Sequence, residues 1–178
     1  MSKILVLQGS LRKNGNTDLL VQAFIDGAKD NNEIEVISVG DYNIAPCTGC
    51  NCCLKNGNVC VQNDDMQYVY KQLAVSDVVV IASPVYFYGV SARLKAIIDR
   101  LHNPLRNTFG VKKLALLLVG GASIPNLFDA VNLQYKMILD FFKLEDAGSV
   151  CVSNVREIGD IKNHAALKDA FNLGASIK

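Results

Sequence analysis

Two short runs carry apolar side chains at almost every position: "DVVVIAS" at 77–83 and "KLALLLVG" at 113–120. A strand with one wet face alternates polar and apolar residues, whereas a strand covered on both faces does not. Both runs are too short to be helices of ordinary length, and each ends in a turn signal. Three further strands are expected at "KILVLQ" (3–8), "EIEVISV" (33–39) and "GSVCVS" (148–153). The segments between them have helical spacing. Leu20, Phe24 and Ala28 share a face of 17–29, and Met66, Val69, Tyr70 and Leu73 share one of 66–74. Leu94, Ile97, Ile98 and Leu101 do the same in 91–102. Segments 126–142 and 164–174 complete the set, with Pro125 suited to the first helical position. Five strands alternating with helices predict an α/β fold, a parallel sheet covered on both faces.

The chain has 178 residues, half of them apolar, which suits a single domain over 1–178. A net charge of +1 gives no basis for binding nucleic acid or an anionic membrane surface. No run reaches the roughly 18–20 apolar residues of a membrane span. The opening "MSKILVLQGS" enters a strand and a turn at once, unlike a signal peptide, so a cytoplasmic setting is expected. In a reducing compartment the six cysteines are not expected to form structural disulfides.

With five strands the natural doubly wound order is the flavodoxin-like 2-1-3-4-5, whose ligands bind beyond the C-terminal strand ends at the switch point between strands 1 and 3. Three loops converge there. "GSLRKNGNT" (9–17) offers Gly9 and Gly15 for close approach, with Ser10, Asn16 and Thr17 as short hydrogen-bonding groups. Arg12 adds a cation, and the following helix start adds free N–H groups. This is a phosphate cradle or, on its own, a polar turn with a cap. It is neither a Walker loop nor G-x-G-x-x-G. "SPVYFYGVS" (83–91) places Tyr86, Phe87 and Tyr88 on one loop, where they cannot all face a core. Gly120 and Gly121 follow the fourth strand. A phosphate cradle beside an aromatic and glycine-lined slot fits FMN better than a nucleoside triphosphate, which would want a Walker lysine.

"GSLRKNGNT", "SPVYFYGVSARLKAIIDR" and the "GG" after strand 4 together resemble the flavodoxin-like NADPH-dependent FMN reductase family over nearly the whole chain. The cysteine stretch followed by "DDM" (64–66) is similar to its iron–sulfur flavoprotein branch. The resemblance implies FMN with its phosphate on Ser10, Arg12, Asn16 and Thr17. It implies a flavin ring against Pro84, Val85, Tyr86, Phe87 and Gly89, with Gly120 and Gly121 on the third side. It also implies a homodimer or homotetramer.

"PCTGCNCCLKNGNVC" (46–60) holds five of the six cysteines, in the long loop after strand 2. Long loops without their own secondary structure are usually functional, and this one leaves the ligand-bearing edge of the sheet. The spacing Cys47-x2-Cys50-x2-Cys53-x6-Cys60 suits a compact four-thiolate [4Fe–4S] site. Zinc is an alternative occupant, as is no metal at all, and Cys52 competes with Cys53 for the third position. Cys151 reads as a small buried hydrophobe. His102 reads as a helix cap, His164 as exposed, and Asp64 and Asp65 as caps of the second helix. Asp99 and Arg100 read as a solvated or interface face.

No nucleophile–base pair is present, as expected where a cofactor carries the chemistry. The expected function is an FMN-dependent oxidoreductase moving electrons between NAD(P)H or ferredoxin, FMN and a [4Fe–4S] cluster, with a small-molecule acceptor. Tyr86 and Tyr88 would shape the pocket. The alternatives are a metal-free reductase of quinones, azo compounds or free flavin, and, in another class, a zinc- or cluster-bearing module that senses a ligand or redox state.

Overall fold

The computed structural model describes residues 1–178. Its strands are β1 (Lys3–Gln8), β2 (Glu33–Ser38), β3 (Val78–Tyr86), β4 (Gly89–Val90), β5 (Lys113–Val119) and β6 (Glu145–Val152). Its α-helices are α1 (Asn16–Ala28), α2 (Met66–Val75), α3 (Ala92–Arg100), α4 (Asp129–Phe142) and α5 (Ala166–Ser176). The sheet runs β2-β1-β3-β5-β6, all parallel, and the two-residue β4 pairs antiparallel with the end of β3. With β4 set aside, this is the expected 2-1-3-4-5 order. No helix is long and apolar enough to cross a membrane.

The unalternating strands divide their side chains between two cores. Leu5 and Leu7 of β1, Val79 and Ile81 of β3, and Leu114, Leu116 and Leu118 of β5 pack with α2, α3 and α4 residues. Ile4, Val6, Val78, Val80, Ala115 and Leu117 point the other way and pack with α1 and α5. The period of two along each strand thus feeds two hydrophobic layers at once. On the second face, α1 and α5 approach so closely that a Cβ on Gly27 would overlap the Phe171 carbonyl, and one on Gly174 the Phe24 carbonyl.

Four details depart from the sequence reading. β3 runs on through Pro84 to Tyr86, because its end turns back in a hairpin onto β4. α4 begins at Asp129 rather than 126, and Pro125 stands in the turn before it. β6 begins at Glu145 with a bulge: Leu114 pairs with Asp146 and Ala115 with Gly148, whose φ is +118°. Cys151 is exposed rather than buried, because it alternates with the inward Val150 and Val152 on an edge strand.

Candidate functional site

The C-terminal ends of β1, β3, β5 and β6 surround a cleft of about 290 Å³. Ser10, Arg12, Gly15, Asn16 and Thr17 form one end of it. α1 begins here without a side-chain cap, so its first backbone N–H groups have no intrahelical partner. Ser10, Asn16 and Thr17 are buried while Arg12 is exposed on the rim. Pro84, Val85 and Tyr86 form a second wall, and Val119, Gly121 and Ala122 a third. A Cβ added at Gly121 would meet nothing nearer than Arg156 at 3.5 Å, so the bare glycine leaves room in the cleft.

The loop after β6 closes the fourth side with Val155 and Arg156. Asn16 holds this loop in place: its amide nitrogen donates to the Glu157 carbonyl at 2.8 Å, and its amide oxygen accepts from the N–H groups of Gly159 and Ile161. Arg12 Nη1 donates to the Arg156 carbonyl at 3.2 Å. The cleft therefore carries two guanidinium groups and a helix start, and no carboxylate lines it. Those residues fit a phosphomonoester joined to a flat ring, as in FMN.

The sequence reading omitted Val155 and Arg156. Their signal is the rule that every parallel strand delivers its following loop to the same edge, the loop after the last strand included. Three expected residues do not line the cleft. Gly120 donates its N–H to the Val152 carbonyl, and a Cβ there would overlap Leu127. Gly89 belongs to β4. Phe87 projects into solvent, 97 % exposed.

Phe87 and Tyr88 form the tip of the β3–β4 hairpin with φ of +47° and +65°. Two left-handed central residues define a type I′ turn, which asparagine and glycine usually occupy. Bulky aromatics there are held at a conformational cost. Ser83 Oγ accepts from the Ser91 N–H at 3.0 Å across the hairpin base, and Ser91 in turn caps α3. The tip thus presents three exposed aromatics, of which Tyr86 lines the cleft, with Tyr86 and Tyr88 53 % and 45 % exposed.

The cysteine loop folds over the end of α3. Cys52–Leu54 make a single 3₁₀ turn within it, entered through Asn51 in the left-handed region. Cys47, Cys50, Cys53 and Cys60 line one small hollow of about 30 Å³, together with Tyr70, Arg100, His102 and Asn103. Cys52 does not line it. Two of these sulfurs accept hydrogen bonds, Cys47 from the Gly49 N–H and Cys60 from Arg100 Nη2, each at 3.4 Å. The thiols are gathered around a common space but are not converged on one point at ligating distance. All six cysteines are free.

Two further expectations change here. Arg100, expected on a solvated face, is 2 % exposed, because the cysteine loop covers its side of α3. Asp64 and Asp65 do more than begin α2. Asp64 pairs with Arg100 and accepts from the N–H groups of Ala45 and Met66, while Asp65 accepts from the Asn43 N–H at 2.6 Å. Both carboxylates tie the two ends of the cysteine loop together. His102 is exposed, with its Nδ1 against the Asp99 carbonyl near the end of α3.

The sequence model of the NADPH-dependent FMN reductase family matches residues 2–149. An iron–sulfur flavoprotein of Methanocaldococcus jannaschii is 40 % identical over 121 residues, 67 % of this chain and 60 % of that protein. The chain thus spans about 60 % of the length of that relative. A protein of Bacillus subtilis named as a putative NAD(P)H-dependent FMN-containing oxidoreductase is 26 % identical over 96 % of both chains. Among solved structures, an azoreductase from Bacillus anthracis superposes with a TM-score of 0.77 at 18 % identity, covering 99 % of this chain and 100 % of that one, a likeness of fold. The chain belongs to the NADPH-dependent FMN reductase family, in the branch of the iron–sulfur flavoproteins.

Proposed function

We propose that the protein is an FMN-dependent oxidoreductase, a single FMN-binding domain that draws electrons from NAD(P)H or ferredoxin and delivers them to a small-molecule acceptor. The observation that carries this reading is the carboxylate-free cleft, where Arg12, Arg156 and the uncapped start of α1 meet apolar walls from β3 and β5. Ser10, Arg12, Thr17 and Arg156 would hold the phosphate. Pro84, Val85, Tyr86 and Gly121 would flank the ring. Bound FMN supplies hydride acceptance and single-electron transfer, and a bound [4Fe–4S] cluster supplies single-electron transfer. The protein's own part is to orient the ring, to exclude water with the aromatic hairpin, and to leave one face open beside Tyr86 and Tyr88.

The proposed cluster ligands are Cys47, Cys50, Cys53 and Cys60. Their common hollow and their two N–H···S hydrogen bonds support this set, and the position of Cys52 outside the hollow favours Cys53 as the third ligand. A reducing compartment such as the cytoplasm suits six free thiols. A homo-oligomer is part of the proposal: Leu133, Met137 and Phe141 of α4 are each about 60 % exposed, a large apolar surface for a lone chain. Sedimentation velocity of the wild type against Met137→Glu tests it.

Protein purified without oxygen is expected to show flavin absorption, with iron and acid-labile sulfide in equal amounts. Absence of flavin binding even after FMN is added would sink the proposal. Flavin without iron would instead leave a metal-free reductase acting on quinones, azo compounds or free flavin. Cys50→Ser is expected to remove iron and keep FMN.

A further inference from the structure

Arg100 is the most deeply buried charged side chain, at 2 % exposure, with the Asp64 side chain beside it at 8 %. Nη1 donates to the Ala45 carbonyl at 3.0 Å and to Asp64 Oδ2. Nη2 donates to Cys60 Sγ at 3.4 Å. Nε has no hydrogen-bond partner. A buried donor left unpaired is unfavourable, the more so on a charged group, and this one belongs to a side chain lining the same hollow as Cys47, Cys50, Cys53 and Cys60. A strut for the loop would need only the bonds to Ala45 and Asp64. The bond to sulfur and the spare N–H go beyond that.

We infer that Arg100 is a positioning residue for the four-thiolate ring: it donates to Cys60 Sγ and supplies the fixed positive charge that raises the reduction potential of the bound cluster. The inference rests on the cluster reading above. In a redox titration one electron leaves the added reductant and enters the protein-bound cluster, with no proton transferred in the step considered, so the site gains one negative charge. A cation fixed against one thiolate lowers the energy of that more negative state. Asp64, paired with the same guanidinium, offsets part of this effect. The two residues therefore push the potential in opposite directions.

The test is spectroscopic potentiometry with iron and sulfide analysis on the full chain, reconstituted without oxygen. Arg100→Gln is expected to lower the cluster potential and Asp64→Asn to raise it, with FMN content unchanged in both. Arg100→Lys keeps the charge beside Asp64 but has fewer donors for the sulfur. It serves as the variant that folds if Arg100→Gln does not, and its potential is expected between the wild type and Arg100→Gln. Wild-type protein that takes up no iron would overturn the cluster reading, and the inference with it. Wild-type protein that holds a cluster whose potential is the same in Arg100→Lys and Asp64→Asn would overturn the inference alone. So would shifts of the same sign in the Arg100 and Asp64 variants, because a strut that merely loosens the loop has no charge sign.

Discussion

The guanidinium of Arg100 and the carboxylate of Asp64 form an ion pair in which the two side chains are only 2 % and 8 % exposed. It joins the last residue of α3 to the residue two before the start of α2, and through Ala45 it clamps both ends of the cysteine loop. Breaking a buried pair by removing one partner leaves an uncompensated charge and typically costs about 3–5 kcal/mol. Asp64→Ala is therefore expected to lower unfolding stability by about 3 kcal/mol in urea titrations of iron-free protein. Asp64→Asn keeps one acceptor oxygen and so retains the bond from either Ala45 or Met66 but not both; it should still cost less than Asp64→Ala.

Acid should act on the same pair. Burial alone would push the Asp64 carboxyl up, but the Arg100 hydrogen bond, the Ala45 and Met66 N–H groups and the guanidinium charge outweigh it and hold the group below its ordinary value. A carboxyl lowered in the folded state stabilises the fold above its unfolded value of about 3.9. That stability is lost as pH falls through the lower folded value. The wild type is thus expected to lose stability below about pH 4 more steeply than Asp64→Asn, read as the pH dependence of the urea midpoint.

The sheet order and most elements were legible because local pattern and burial agree. Val78–Ala82 and Leu114–Val119 have no polar alternation, and each strand does feed two cores. What was not legible depended on contacts distant in sequence. Arg100 follows two apolar turns and reads as a polar end of α3; only the cysteine loop, folded back over it, buries it. Arg156 lies after the edge strand and reaches the cleft only because Asn16 binds Glu157, Gly159 and Ile161 from far along the chain. Gly120 and Gly121 look equivalent in sequence, yet one is spent on the sheet and on Leu127 and the other opens onto the cleft.

The α1–α5 contact should tolerate no side chain at its crossing. A methyl on Gly174 would overlap the Phe24 carbonyl, and one on Gly27 the Phe171 carbonyl, both rigid backbone rather than flexible side-chain ends. In an exposed helix, glycine to alanine would stabilise by roughly 1 kcal/mol. Here overpacking is expected to reverse the sign, and Gly27→Ala and Gly174→Ala should each destabilise by at least about 1–3 kcal/mol. Thermal unfolding checks this; an increase in Tm would mean that the helices separate easily.

The hairpin tip stores conformational cost in a place where packing does not repay it. Phe87 is 97 % exposed at φ +47°, and left-handed backbone costs about 1–2 kcal/mol for an ordinary residue. Phe87→Asn with Tyr88→Gly matches the residues a type I′ turn prefers. The double variant is expected to raise the stability of flavin-free protein by about 1–2 kcal/mol. If the aromatics serve the open face of the site, turnover with small-molecule acceptors should fall at the same time. A variant that is more stable and equally active would show that the aromatics have no role there.

The two cleft arginines give the most direct check on the cofactor site. Arg12 and Arg156 line one opening and are joined by the bond from Arg12 Nη1 to the Arg156 carbonyl. Hydrogen bonds to charged groups contribute about 1.5–3 kcal/mol, and exposed partners such as these fall at the lower end. Arg12→Gln and Arg156→Gln are each expected to weaken FMN binding roughly tenfold by fluorescence titration, consistent with the lower end of that range. Riboflavin lacks the phosphate, so its binding should be nearly unaffected by either change. Added salt should weaken FMN binding to the wild type more than to the double variant, because it screens charges at the opening. Equal loss of FMN and riboflavin would instead place the arginines in support of the loops rather than on the phosphate.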